Sequence, residues 1–272
     1  VLNQKYEIKL SDNELMRYSR QILLESWDIA AQERLKSSTV VILGAGGLGC
    51  PVSETLARAG VGTIHLIDDD VIEASNLQRQ TLFTYENIGQ SKAKTACQAL
   101  LSINAFVNVS YSEQRLTAQN AKELLLLERA KTSKIPFLLL DCTDNFAARE
   151  LLNQVSVEEG LPLLSASAIA MSGQLALYEP SKQTGCYHCV FGETLSSDSE
   201  GSTQNCTNSG VLASTTTVMG NLQANAALQY LGRGRNPLQG ELLIWDGNNM
   251  TQHKLRYRQD KQCRVCGNTA TA

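Results

Sequence analysis

An apolar run, Val40-Val41-Ile42-Leu43, passes directly into Gly44-Ala45-Gly46-Gly47-Leu48-Gly49. A buried strand that stops at G-x-G-x-x-G and opens into a helix is the phosphate-binding turn of a nucleotide-binding α/β fold. Glycines let the backbone bend tightly and approach a phosphate. The helix N-terminus that follows offers unpaired N–H groups and the positive end of a dipole. Gly44, Gly46, Gly47 and Gly49 are therefore candidate cofactor-contacting positions. Most such loops serve dinucleotides, but the residues that follow this one point to ATP.

The next apolar run, residues 63–67, ends in Asp68-Asp69-Asp70, and Asn76-Leu77-Gln78-Arg79-Gln80 comes shortly after. A carboxylate about 20 residues beyond the glycine loop can accept both ribose hydroxyls. Asp68 and Asp70 are the candidates, two apart on one side of an extended chain; the plainer alternative is a polar strand end or helix cap. A triphosphate also needs cations at its β and γ positions. Arg79 and Lys92 follow the second strand and fall near the loop in any β-α-β arrangement, and their chemistry suits phosphate. Asp144, just past a strand at 137–141, lies where ligands bind in open α/β sheets and can hold Mg²⁺. Asp144 and Asn145 could equally cap the next helix.

Strand and helix patterns alternate along the chain. Helical spacing covers 12–36, and a strand at 39–43 leads to a helix at 47–59 that Gly60 and Gly62 close. A strand at 63–67, a helix at 91–102, a strand at 108–113 and a helix at 118–131 follow. The strand at 137–141, a helix at 146–158 and strands at 162–166 and 173–178 complete the series. Such alternation predicts a Rossmann-like, doubly wound α/β fold with a mostly parallel sheet. Past Gly185 the pattern changes. Residues 192–209 are rich in Ser, Gly, Thr and Asp and read as a mobile loop. A long small-residue helix at 213–231 and strands at 241–245 and 254–257 form a C-terminal extension with antiparallel strands. The expected division is an N-terminal helical arm over 1–36 and one ATP-binding domain over 37–272.

Eight cysteines accompany a polar N-terminus that does not resemble a signal peptide. That usage implies a reducing, cytoplasmic compartment, where thiols serve metals or catalysis more than disulfides. Cys186/Cys189 and Cys263/Cys266 form two C-x-x-C pairs suited to tetrahedral Zn²⁺. With no open coordination position the site reads as structural, a staple between the C-terminal tail and the body; two local disulfides or free thiols are the alternative. His188, between two ligands, reads as a surface residue, and His65 and His253 have no partner evident from sequence. Cys50, Cys97 and Cys142 read as core residues. Cys206 falls in the polar loop just before a helix, where a thiol is favoured as thiolate, or is an ordinary exposed cysteine. The net charge of -3 argues against a nucleic-acid partner. No apolar run approaches the roughly 20 residues of a membrane span.

Together these residues resemble the ThiF/MoeB family, bacterial relatives of ubiquitin-activating enzymes. Arg17-Tyr18-Ser19-Arg20-Gln21 looks like the family's N-terminal R-Y-x-R-Q. The glycine loop, residues 76–80, 141–145 and 185–189, and the final cysteine pair stand in family order. Residues 17–24, the triple Asp, Ser165-Ala166-Ser167-Ala168, Gly185-Cys186-Tyr187 and Gly240-Glu241-Leu242 look more like the thiamine branch, which acts on the sulfur carrier ThiS, than the molybdopterin branch. The resemblance implies adenylation of the C-terminal Gly-Gly carboxylate of a small ubiquitin-like carrier, with ATP and Mg²⁺, by a homodimer. It places an arginine finger on Arg20, reaching into the partner subunit's site, and phosphate and transition-state contacts on Asn76, Arg79 and Lys92. It places ribose on Asp68, Mg²⁺ on Asp144, and the covalent link to the carrier on Cys206. The chain ends soon after Cys266, so a separate sulfur donor protein is expected. A dehydrogenase, the competing reading of the glycine loop, leaves the paired cysteines unexplained, and a non-catalytic carrier-binding module leaves the cations unexplained.

Overall fold

The structure, a computed structural model, describes residues 9–131, 136–196 and 210–267. Strand β1 (Thr39–Leu43) is buried along its whole length. It pairs in parallel with β2 (Thr63–Ile67) on one side and β4 (Phe137–Asp141) on the other. Strands β3 (Asn108–Ser112) and β5 (Leu163–Ile169) extend the parallel part at either edge. Strands β6 (Ser172–Tyr178), β7 (Glu241–Asp246) and β8 (Thr251–Arg256) then add in antiparallel fashion. The sheet order is β3-β2-β1-β4-β5-β6-β7-β8. Parallel strands need long crossovers, and the helices that supply them cover both faces.

The period of two along β1 decides which face each side chain fills. Val40 and Ile42 join Leu56, Ala96, Leu100, Ala224 and Leu231 in one core. These come from α3 (Gly49–Ala59), α4 (Lys92–Ile103) and α8 (Ala213–Arg233). Val41 and Leu43 join Leu125 and Leu152 in the other, from α5 (Ala121–Lys131) and α6 (Phe146–Glu158). Among the described residues no helix is long and apolar enough to cross a membrane.

Two expectations need correction. Residues 12–36 are two helices, α1 (Asp12–Ile22) and α2 (Ile29–Lys36), rather than one. The chain bends so that Trp27 is buried; its Nε1 donates to Gln32 Oε1 at 2.9 Å and its ring packs where a Cβ on Gly232 would clash. Asp28 then caps α2 by accepting from the Ala31 N–H at 2.8 Å. The second correction concerns residues 192–209. Residues 192–196 complete a helix, α7 (Tyr187–Ser196). Its Tyr187 and Phe191 rings sit 4.7 Å apart at i, i+4 spacing, and Gly192 leaves room for the His188 ring. The remainder, 197–209, lies outside the described residues and includes Cys206.

Candidate active site

The glycine loop sits at the carboxyl end of β1, as the topology requires. Gly44 has φ +97°, and a Cβ there would lie 2.7 Å from the Cys142 carbonyl oxygen, so only glycine fits. A Cβ on Gly49 would fall 1.9 Å from the Gly44 oxygen. Gly49 therefore serves the packing of loop against helix and does not line the cavity in front of it. Gly44, Gly46 and Gly47 do line that cavity, whose volume is about 520 Å³. Helix α3 begins there without a side-chain cap, which leaves first-turn N–H groups for a ligand.

Asp68, Asp70, Asn76, Arg79, Lys92 and Asp144 line the same cavity. Sequence separations of up to 100 residues are thus brought to one place. The aspartates differ in role. β2 ends at Ile67, so Asp68 and Asp70 lie beyond the strand. Asp68 Oδ2 accepts from the Ala45 N–H at 2.7 Å and Oδ1 from the Asp70 N–H at 2.9 Å, bracing the glycine loop. Burial pushes its carboxyl above the ordinary range, opposed by those two N–H groups and Lys92. Asp70 is exposed and pairs with the buried Lys92 ammonium at 2.7 Å. Asn76 is buried and caps its own short turn by accepting from the Glu73 N–H. Arg79 donates to the Ser75 carbonyl at 3.2 Å, and its Cδ lies 3.3 Å from where a Gly47 Cβ would be.

Asp144 is exposed on the segment between β4 and α6. Asn145, not Asp144, caps α6, by accepting from the Ala148 N–H at 2.9 Å. The segment is held from behind by Asp141, which is 1% exposed. Asp141 accepts from the hydroxyls of Thr143 at 2.7 Å and Ser165 at 2.6 Å. Arg149 Nε lies 3.5 Å from Asp141 Oδ2, and its Nη2 donates to the Thr143 carbonyl at 2.7 Å.

Arg20 is exposed in the last turn of α1 and does not line the cavity. Among the lining residues the sequence reading did not mark are Gln80, Arg149 and Arg115. Gln80 is 3% exposed, with an Oε1 that has no hydrogen-bond partner among the described residues. Its position at the end of the Asn76 stretch was the available signal. Arg149 was legible only as one more helical charge, and Arg115, after β3, had no marking motif.

The second site is the cysteine cluster. The Sγ atoms of Cys186, Cys189, Cys263 and Cys266 lie within 4.8 Å of one another. Separations of 3.9, 3.8 and 3.4 Å between Cys186–Cys189, Cys186–Cys263 and Cys189–Cys266 suit a common ion. With bonds of about 2.3 Å a tetrahedral thiolate site has edges near 3.8 Å. The hydrogen bond shared with Cys186 holds the Cys189 thiol below the ordinary range, against burial, while the same bond and burial push Cys186 up. His188 is not a surface residue as expected: it is largely covered, with Nδ1 3.2 Å from Glu150. His65 is also partnered, by the hydroxyls of Ser110 at 2.8 Å and Ser112 at 3.0 Å, and His253 is exposed on β8.

Residues 18–265 match the model of the ThiF family. The chain belongs to the ThiF family. The Sulfur carrier protein ThiS adenylyltransferase of Escherichia coli K12 is 40% identical over 258 residues, covering 95% of this chain and 97% of that one. The Molybdopterin-synthase adenylyltransferase of the same organism is 37% identical over 265 residues, covering 95% and 99%. Among solved structures, E. coli MccB with AMPCPP and MccA superposes with a TM-score of 0.75 at 27% identity, covering 92% of this chain and 74% of that one. The matched stretch includes the glycine loop and Cys186, Cys189 and Cys263.

Proposed function

We propose that this chain is an ATP-dependent adenylyltransferase that activates the C-terminal carboxylate of a small sulfur carrier protein of the ThiS kind. The convergence of a phosphate loop, the cations Arg79 and Lys92 and the exposed Asp144 carboxylate on one cavity carries this reading. The most similar relatives described above are themselves named adenylyltransferases. Thiamine thiazole synthesis is the favoured setting, because the ThiS relative is the more similar of the two; the molybdopterin carrier is the alternative.

The chemistry follows from the residues. A carrier carboxylate oxygen bonds to the α-phosphorus as the bond from that phosphorus to the bridging oxygen breaks, and pyrophosphate leaves. The carboxylate is already ionised, so no general base is needed. Negative charge grows on the phosphate oxygens, and fixed cations in a shielded site stabilise it. Lys92 and Arg79 supply that charge, with Asn76 and the α3 N–H groups as neutral donors. Lys92 exchanges its Asp70 partner for phosphate, and Asp68 or Asp70 takes the ribose hydroxyls. Asp144 fits Mg²⁺, which neutralises phosphate charge when bound and usually takes only one or two carboxylates beside substrate oxygens. Arg20 acts across a homodimer interface in the partner's site, and a separate protein supplies sulfur. Cys206 then forms the covalent link with the carrier: its sulfur bonds to the activated carbonyl carbon as the acyl–oxygen bond breaks, AMP leaves and the thiol proton passes to solvent. Zinc is the ion that suits four thiolates in this geometry, and it holds the C-terminal tail.

The test is pyrophosphate release with ATP, Mg²⁺ and a carrier ending in Gly-Gly. Release must depend on the carrier and vanish when its last two glycines are removed. Release independent of that tail would sink the reading.

A further inference from the structure

Helix α6 touches both the nucleotide segment and the cysteine cluster. Arg149 donates to the Thr143 carbonyl, one residue before Asp144. Glu150 lies 3.2 Å from His188 Nδ1 and 3.6 Å from Arg264 Nη2. Each of those partners sits inside one of the C-x-x-C pairs, so one carboxylate ties both knuckles to the helix. Asn153, one turn past Arg149, is fully buried. Its Nδ2 donates to the Cys186 Sγ at 3.5 Å, and its Oδ1 accepts from the Tyr187 N–H at 3.0 Å. Arg149, Glu150 and Asn153 span about 6 Å of helical rise. Across so short a length an α-helix moves as a solid body.

From this juxtaposition we infer that α6 is a mechanical link between the four-cysteine centre and the segment carrying Asp144. The state of the metal centre sets where that segment stands, and a nucleotide in the cavity tightens the hold on the metal. The inference rests on the ATP and metal readings above. Asn153 is the positioning residue: a hydrogen bond to a ligating sulfur orients it, and loss of such partners is felt at the metal. Coupling between two sites is reciprocal, so it is measurable from the metal side without any turnover.

The experiment uses the full chain loaded with zinc. Transfer of zinc to a chromogenic chelator is timed with Mg²⁺ and saturating ATP, and again with equal UTP, which controls for chelation by a triphosphate. ATP binding and zinc content are measured on the same samples. Wild type should release zinc at least about fivefold more slowly with ATP than with UTP, the low end of ordinary coupling. In Asn153→Ala that ratio should fall towards one while ATP still binds. A purely structural role for Asn153 would speed release with either nucleotide and leave the ratio intact. The same ratio in both proteins, or no ATP effect in wild type, overturns the link. Should Asn153→Ala not hold zinc, Glu150→Gln is read in the same way. A wild-type protein that binds no ATP brings down the functional reading and the link with it, whereas one that binds ATP but takes up no zinc brings down the metal reading and the link alone.

Discussion

Replacing Arg149 with Met removes a guanidinium that faces Asp141 in a nearly closed environment. The Arg149 side chain is 10% exposed and that of Asp141 1%. Losing one partner of a buried ion pair costs about 3–5 kcal/mol, because the other charge stays behind unpaired. Asp141 keeps the Thr143 and Ser165 hydroxyls and the Thr143 N–H at 3.0 Å, which places the expected loss near the lower figure. For 272 residues the unfolding entropy is about 0.6 kcal/mol/K, so a loss of about 3 kcal/mol lowers Tm by roughly 5 °C. The reasoning is tested by a cycle of four proteins: wild type, Arg149→Met, Asp141→Asn and the double variant. Urea unfolding at neutral pH gives each stability. Removing both charges leaves none stranded, so the double variant should lie well above the sum of the single losses, by about 2 kcal/mol. Additive losses, or a loss below about 1 kcal/mol for Arg149→Met, would refute the stranded-charge argument.

Three further outcomes follow from the same geometry. Arg79→Ala should cut adenylate formation by about 100-fold or more, read as pyrophosphate release, while leaving the melting temperature of the free protein nearly unchanged. Burial raises the Asp68 carboxyl, so its contribution to stability is fullest below the ordinary value of 3.8 and fades as pH rises through the higher folded value. The stability difference between wild type and Asp68→Asn, from thermal melts at pH 4 to 7, should therefore shrink upwards; a growing difference contradicts that sign. Cys206→Ala should form carrier adenylate at the wild-type rate but fail in sulfur transfer from the donor protein. A slow adenylation step in that variant would remove Cys206 from its proposed place.

The parallel half of the fold was legible because its signals are local. Val40 to Leu43, the glycine loop and the apolar runs of β2 and β4 mark strand and turn within a few residues, and their limits match the structure. The bend at Trp27 was not, because the helical spacing continues through it. What breaks the helix is a tertiary fact: the ring fills a space against Gly232, some 200 residues away in sequence. Helix α7 was hidden by its polar end, where Glu193, Thr194 and Ser196 read as loop while Tyr187 and Phe191 do the packing. At the candidate site, most of the motif residues named from the sequence line one cavity, but their division of labour was not legible. Nothing in the sequence says that Asp68 braces the Ala45 N–H or that Asp70 holds Lys92. Gly49 belonged to the motif, yet its reason is contact with the Gly44 carbonyl rather than with a ligand. Arg149 and Asn153 carry no motif at all; only the fold brings one helix against both the Asp144 segment and Cys186.

The central claim is transfer of AMP to a carrier tail. It is tested most directly by the intact mass of a ThiS-type and a molybdopterin-type carrier, each incubated with this protein, ATP and Mg²⁺. The account predicts a gain of one AMP on the ThiS-type carrier. A gain on the other carrier alone would keep the chemistry and change the pathway. No gain on either, with both carriers folded and competent, would contradict the claim that this chain is an adenylyltransferase.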